Sequence, residues 1–241
     1  MTILLIDADI IAYRAAAASE TPINWGEGLW TLHAFEDDVQ RMIDEEVANL
    51  KELSGCEEVI SCLSGSKNFR KEVADYYKAN RKDTRKPLLL KYCKEYMFEK
   101  YNGMIEDRLE ADDLLGVLGS SNKAKYIIWS IDKDLRTVPA MHLIDGSIVE
   151  ISKEDADYAF YKQVLTGDST DNYKGCPSVG DKKADKVLEL GYFGNPWLAI
   201  VKEYKKQGLA ESVALENARL ARILRHGEYN FETKKIKLWK P

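Results

Sequence analysis

Ile3-Leu4-Leu5-Ile6 is an unbroken apolar run that stops on Asp7. A run this short, apolar at every position, predicts a strand buried on both faces and ending on a carboxylate. Phe35, Val39, Met42, Ile43, Val47, Leu50 and Leu53 then recur at helical spacing, with Gly55 as the stop, and predict an amphipathic helix. Glu58 to Leu63 (EVISCL) predicts a second strand, and Tyr126 to Ile131 (YIIWSI) a third that runs into Asp132 as the first runs into Asp7. Pro87 opens a helix with Leu89, Tyr92, Cys93 and Tyr96 on one side. A further helix begins at Glu110 to Val117 (EADDLLGV), its acids in the first turn where the macrodipole favours them. Met141 to Ile144 and Ile148 to Ile151 flank Asp145-Gly146-Ser147, a hairpin signal, and Ser152 with Asp155 is a capping box for a helix reaching Thr166. Beyond it the pattern is helical with glycine and proline punctuation, and it ends on the strand-like KKIKLW.

Strands alternating with helices predict an α/β fold, a central mostly parallel sheet flanked by helices. In 241 residues this leaves room for a core over 1–151, including a polar segment at 64–86, and a helical subdomain over 152–241. With 45% apolar and 31% charged residues the composition excludes a disordered, collagenous or coiled-coil chain. The apolar N-terminus lacks a basic leader and is broken by two aspartates, so neither a signal peptide nor a membrane span is expected. Cys56, Cys62, Cys93 and Cys176 are scattered without metal-type pairing, the pattern of reduced, buried, cytoplasmic thiols.

The net charge of −5 argues against an indiscriminate polyanion binder, but the charge is unevenly spread. Lys67 to Lys94 holds ten Lys or Arg against three acids, whereas Met104 to Asp113 holds five acids against Arg108 alone. Arg219 to Lys240 is basic again, seven residues against Glu228 and Glu232. The stretch from Lys67 to Lys86 has no sustained apolar face, so it is not expected to pack tightly on a core and should be mobile until a ligand orders it.

Asp7, Glu110, Asp112, Asp113, Asp132, Asp134, Asp168 and Asp171 fall into four groups at strand ends or helix edges, and Asp168 and Asp171, three apart, share one face if they lie on a helix. Each group alone reads more readily as a turn or a helix cap. The carboxyl ends of parallel strands share one edge, however, so the groups can converge there. Converged carboxylates repel unless a cation neutralises them. Hard oxygen donors without a His or Cys cluster select Mg²⁺ or Mn²⁺, and this many acids suit two ions, which clamp an in-line phosphoryl displacement. Tyr76, Tyr77, Lys78, Asn80, Arg81, Lys82, Arg85 and Lys86 set aromatic rings among cations, the composition of a single-strand nucleic-acid surface. Gly175-Cys176-Pro177-Ser178-Val179-Gly180, followed by Asp181, Lys182 and Lys183, joins two helical stretches by a tight loop whose backbone N–H groups can grip a phosphate. A plain helical hairpin would look much the same, and the lysines tilt the balance.

Taken in order, LLIDAD, FRKE with YYKANR, LEADD, SIDKDLRT and LTGDSTDNYKGCPSVGDKKA resemble the flap endonuclease or 5′-nuclease family, closest to the phage 5′→3′ exonucleases, and ARILRHGEYNF extends the likeness. The resemblance implies a helical arch over the site and a helix-three-turn-helix element that binds duplex. It implies that Asp7, Glu110 and Asp112 ligate a first metal, that Asp113 lies between the sites, and that Asp132, Asp134, Asp168 and Asp171 serve the second. Lys78 and Arg81 match the arch cations that contact the scissile phosphate. Arg70, Tyr76 and Tyr77, with Gly175, Val179, Gly180, Lys182 and Lys183 at the turn, are the expected DNA contacts, and the turn often holds K⁺ in the family. The implied activity is two-metal 5′→3′ exonuclease and flap cleavage of DNA, extending to RNA primers annealed to DNA, by a monomer in the host cytoplasm. One departure stands out: the family usually carries an aspartate after the second strand, where this chain reads Ser64-Gly65-Ser66. Either a water or Asp9 fills that place, or the first metal binds more weakly. Two readings compete: a haloacid-dehalogenase-type phosphatase using Asp7 and Asp9, and a non-catalytic DNA-binding protein.

Overall fold

The structure is a computed structural model that describes residues 2–82, 84–122, 124–191 and 194–241. Strand β1 (Ile3–Asp7) is followed by α1 (Ala8–Ala18), a hairpin of β2 (Thr21–Asn24) and β3 (Trp30–His33), α2 (Glu36–Ser54) and β4 (Glu58–Ser64). Next come α3 (Arg70–Val73), a 3₁₀ turn at Ala79–Arg81, α4 (Leu90–Lys100), β5 (Met104–Glu106), α5 (Ala111–Gly119) and β6 (Tyr126–Trp129). After a 3₁₀ turn at Lys133–Thr137 the chain forms β7 (Met141–Ile144), β8 (Ser147–Glu150) and α6 (Lys153–Thr166). It ends with α7 (Asp181–Gly191), α8 (Pro196–Lys206), α9 (Glu211–Ala221), β9 (Tyr229–Asn230) and β10 (Lys235–Ile236).

The main sheet runs β5-β4-β1-β6-β7-β8, parallel except for β8. Strand β1 is central, which explains its continuous apolar run. Leu4 and Ile6 face α1, α2 and α4, while Leu5 faces α5, as the period of two requires. Helix α2 buries Val39, Ile43, Val47 and Leu50 and stops at Gly55, whose φ of 65° is the left-handed conformation that a glycine adopts without strain. Phe35, the N-cap, and Leu53, in the last turn, are exposed at the two ends of that pattern. The Asp145-Gly146 turn has both φ values positive, as a two-residue hairpin needs, and Ser152 caps α6 through the Asp155 N–H. All four cysteines are buried and free. Among the described residues no helix is long and apolar enough to cross a membrane.

A second cluster of buried side chains, including Phe160, Tyr204 and Ala218, holds α6 to α9 together. The boundary at residues 151 and 152 is crossed in both directions. Ala74 and Tyr77 enter the helical cluster, while Ile223, Leu224 and Tyr229 return to the cluster under the sheet. Two expectations for 64–86 are corrected here. Among the described residues of 64–86 the helical arch reduces to four-residue α3 and one 3₁₀ turn, because nothing apolar repeats at helical spacing. Nor does the whole stretch lack packing: Phe69, Arg70, Ala74 and Tyr77 are buried, an irregular spacing that a search for periodic faces passes over. Residues 78–82 and 84–86 remain on the surface or partly buried, and Asp83 lies outside the described residues.

Candidate active site at the sheet switch point

Strands β4 and β6 lie on opposite sides of β1, so the strand order reverses there and a crevice opens at the carboxyl ends. A cavity of about 320 Å³ occupies that crevice, and Asp7, Asp112, Asp132, Asp134, Asp168 and Asp171 line it together with Asp9 and Glu110. Asp7 ends β1 and caps α1, accepting the Ile10 N–H at 3.3 Å and the Ser130 hydroxyl at 2.9 Å. Asp132 caps the following 3₁₀ turn through the Asp134 N–H, and Asp134 accepts from Gln163 of α6 at 2.8 Å. Asp168 and Asp171 sit in the loop between α6 and α7, not on one helix face. A bridge between Asp168 and Tyr173 closes that loop, and the Thr170 N–H bonds Asp168 at 2.7 Å.

Asp9 is tied at both ends. Its carboxylate lies 2.8 Å from the Lys94 ammonium and accepts the Ser64 N–H at 3.2 Å. The Ser64 hydroxyl in turn accepts the Ala111 N–H at 3.0 Å, so it satisfies a free donor at the start of α5. Ser130, Gln163 and Lys94 escaped sequence reasoning. Only Ser130, two residues before Asp132, carries a positional signal.

The cavity concentrates negative charge. Burial, then Asp9 and Asp132, pushes Asp7 up to about 7. Burial, then Asp132 and Asp168, pushes Asp134 up to about 6, and Asp112 is raised by burial and by Asp7, Glu110 and Asp132. For Glu110 burial works against ionisation, but Arg70 and Lys78 win and hold it down at about 2. Lys78 reaches in from a residue with φ of 54°, pairing with Glu110 and lying 3.4 Å from Asp171. Arg81 binds Asp171 at 2.6 Å. Among the described residues no three acidic, His or Cys side chains already close on one point as a metal cage. The donor set fits a hard cation all the same, because it is all oxygen and its charge exceeds what Lys78 and Arg81 neutralise.

Three residues expected at the surface or in the ligand set have different places. Asp113 is fully buried, forms a two-bond pair with Arg70 at 2.8 Å, and accepts the Glu110 and Leu224 N–H groups, so no lone pair faces the cavity. Arg70 is consumed by that pair. Breaking such a buried pair costs about 3–5 kcal/mol. Tyr77 is also buried, its hydroxyl 2.6 Å from Asp171 and 3.1 Å from Glu110. These corrections share one cause: in sequence, a cation or ring that packs inward looks like one that faces solvent. Tyr76 keeps an exposed ring, with its hydroxyl donating to Glu216 at 2.6 Å.

At the glycine turn, Gly167 and Gly175 face each other with φ of 69° and 64°, and a Cβ on Gly175 would stand 2.3 Å from the Gly167 nitrogen. The Gly175 N–H goes to Asn217 and Val179 is buried, so neither is free to grip a phosphate. Gly180 and Lys182 are exposed. Lys183 lies 2.8 Å from buried Glu203.

Residues 2–164 match the family model described as 5′-3′ exonuclease, N-terminal resolvase-like domain. The chain belongs to the 5′-3′ exonuclease family. It is 29% identical to the exodeoxyribonuclease of Enterobacteria phage T3 and 28% identical to the exonuclease of Escherichia phage T7, in each case over 99% of this chain and 93% of the relative. A solved structure of a phage T5 protein with metal ions has the same fold, with a TM-score of 0.67 at 16% identity over 92% of this chain and 89% of that one. The phage T5 flap endonuclease in complex with DNA and metal ions matches at a TM-score of 0.66 and 16% identity, covering 92% and 89%. The fold is thus that of the 5′-nucleases, and the chain is a 5′→3′ exonuclease. Two alternatives fall away. The phosphatase reading does not suit residues 2–164, which match a 5′-3′ exonuclease domain. The non-catalytic reading does not suit a member of an exonuclease family.

Proposed function

We propose that the cavity hydrolyses phosphodiester bonds of DNA at or near 5′ ends and flaps, with two divalent ions, Mg²⁺ or Mn²⁺. The observation that carries this reading is the meeting, at the switch-point edge of the sheet, of carboxylates from β1, α5, the loop after β6 and the loop after α6 with two cations. Asp7, Glu110 and Asp112 would hold one ion and Asp132, Asp134, Asp168 and Asp171 the other, with Asp9 beside the first. The ions supply Lewis-acid stabilisation of the attacking and leaving oxygens. Lys78 and Arg81 grip the scissile phosphate and stabilise its developing charge. Tyr76, beside them, offers a ring for a base to stack on.

Gly180 and Lys182 hold the duplex backbone downstream, and K⁺ is the ion proposed for the carbonyls of that turn. The phage relatives support DNA as substrate, and the reading extends to RNA primers during DNA replication, a monomer and the cytoplasm of the host. Incubation of 5′-labelled duplex with Mg²⁺, and then with excess EDTA, tests it. Release of short 5′-phosphorylated products only with the metal is expected. Retention of intact duplex, or release of inorganic phosphate alone, would overturn it.

A further inference from the structure

Arg70 has no exposed face, yet it touches both the acid cluster and the end of the chain. All five of its N–H groups have acceptors. Nε donates to the Leu220 carbonyl at 3.0 Å and Nη2 to the Arg222 carbonyl at 2.6 Å. The fork takes both oxygens of Asp113 at 2.8 Å, and Nη1 takes Oε2 of Glu110 at 3.1 Å. Leu220 lies in the last turn of α9 and Arg222 is its C-cap, where carbonyls lack helical partners and a cation is favoured. Asp113 closes the circuit by accepting the Leu224 N–H at 3.1 Å. The guanidinium therefore joins the end of α9 to the start of α5. Together with the Tyr77 hydroxyl, which bonds the same Oε2 at 3.1 Å, it also fixes which oxygen of Glu110 is held inward and which is left to Lys78.

We infer that Arg70 is a positioning residue: its fork sets the Glu110 carboxylate for metal binding and makes that setting depend on the seating of residues 220–224. The inference rests on the reading of Glu110 as a ligand. A lysine at position 70 keeps the charge but cannot serve two carbonyls and two carboxylates in one plane. Partners behind a ligand of this kind govern about 10- to 100-fold of metal affinity.

Mn²⁺ binding to the DNA-free full chain, read by the electron paramagnetic resonance of free Mn²⁺, tests this together with steady-state cleavage. Arg70→Lys should weaken Mn²⁺ about 10-fold or more and lower kcat, with KM for DNA changed less than about twofold. Asp113→Asn keeps the side-chain volume and should act in the same direction should Arg70→Lys not fold. Asp44→Asn is the control, since Asp44 of α2 is held by Tyr96, Lys100 and Tyr101 and touches neither a cavity acid nor residues 220–224. It should lower thermal stability and leave Mn²⁺ affinity unchanged. Wild-type Mn²⁺ affinity in folded Arg70→Lys and Asp113→Asn would overturn the inference, as would an equal loss in Asp44→Asn. Glu110→Gln separates the two levels: wild-type Mn²⁺ affinity there removes Glu110 as a ligand, whatever Arg70 does.

Discussion

Two walls face each other across the cavity and are held by different means. The acid wall is set by topology: Asp7, Asp112 and Asp132 stand where β1 and β6 end and where α5 begins, on backbone locked into the sheet or its covering helix. The cation wall has no such frame. Lys78 and Arg81 hang from a single 3₁₀ turn and are placed mainly by the acids they bind, with the Arg81 side chain still 47% exposed. Rigid acids and adaptable cations suit a site whose substrate is itself an anion. The cations can exchange Glu110 and Asp171 for a phosphate while the acids stay in place. Their separate contributions should therefore be separable by mutation.

The largest effect should come from the acid wall. Asp112→Asn or Asp134→Asn should lower cleavage by about 10³-fold or more while DNA binding at low salt holds or tightens, since each removes negative charge near the phosphate. Gel-shift and single-turnover assays check this, and wild-type rates in both variants would remove these residues from the site. On the cation wall, Lys78→Ala and Arg81→Ala should each cost about 10²-fold, mainly in kcat, because the lost charge acts where charge develops. A loss confined to KM would make them binding residues.

Next in size is a pH effect on the metal-free protein. Asp7 and Asp134 are raised to about 7 and about 6 in the fold, so the folded state binds protons that the unfolded state has already released. Stability should thus fall as pH rises from about 4 through about 7, and Mg²⁺ should reverse the loss at pH 8. Thermal unfolding of the native chain and of Asp7→Asn at pH 5.5 and 8, with and without Mg²⁺, measures it, the comparison cancelling buried His142, whose pKa burial lowers and which adds stability as pH rises. The same pH dependence in EDTA for both chains would mean that the acids do not repel as described. The smallest effect distinguishes two neighbours at the turn. Lys182→Ala should weaken duplex binding and flatten the salt dependence by a slope of about 0.9, whereas Lys183→Ala should do less, because Glu203 already holds that ammonium. Equal slopes from both would show that DNA draws Lys183 away from Glu203.

The same contrast explains what could be read from sequence. β1 and β6 were legible because buried central strands must be largely apolar, and the carboxylate that soon follows each run has nowhere to go but the open edge. The hairpin of β2 and β3 was not legible. Its Trp25, Trp30 and Leu32 are exposed, so it shows neither a buried face nor an alternating pattern. Asp7, Asp112 and Asp132 could be located by spacing, whereas Asp113 could not be told from Asp112. They are adjacent in the first turn of one helix, and only a guanidinium from 43 residues away decides which carboxylate turns inward. Asp168 and Asp171 were found for the wrong local reason, since the loop's closing bridge and not a helical repeat brings them to the cavity.

The proposed role of the cavity in 5′ phosphodiester cleavage stands or falls on divalent-metal binding by its converged carboxylates. Calorimetric titration of Mn²⁺ into the DNA-free protein, repeated on Asp112→Asn, tests it most directly, because it reads the ions and not the chemistry that follows. Two bound Mn²⁺ per chain are expected in the native sequence, with the loss or marked weakening of at least one in Asp112→Asn. No saturable Mn²⁺ binding, or an isotherm unchanged by Asp112→Asn, would contradict it.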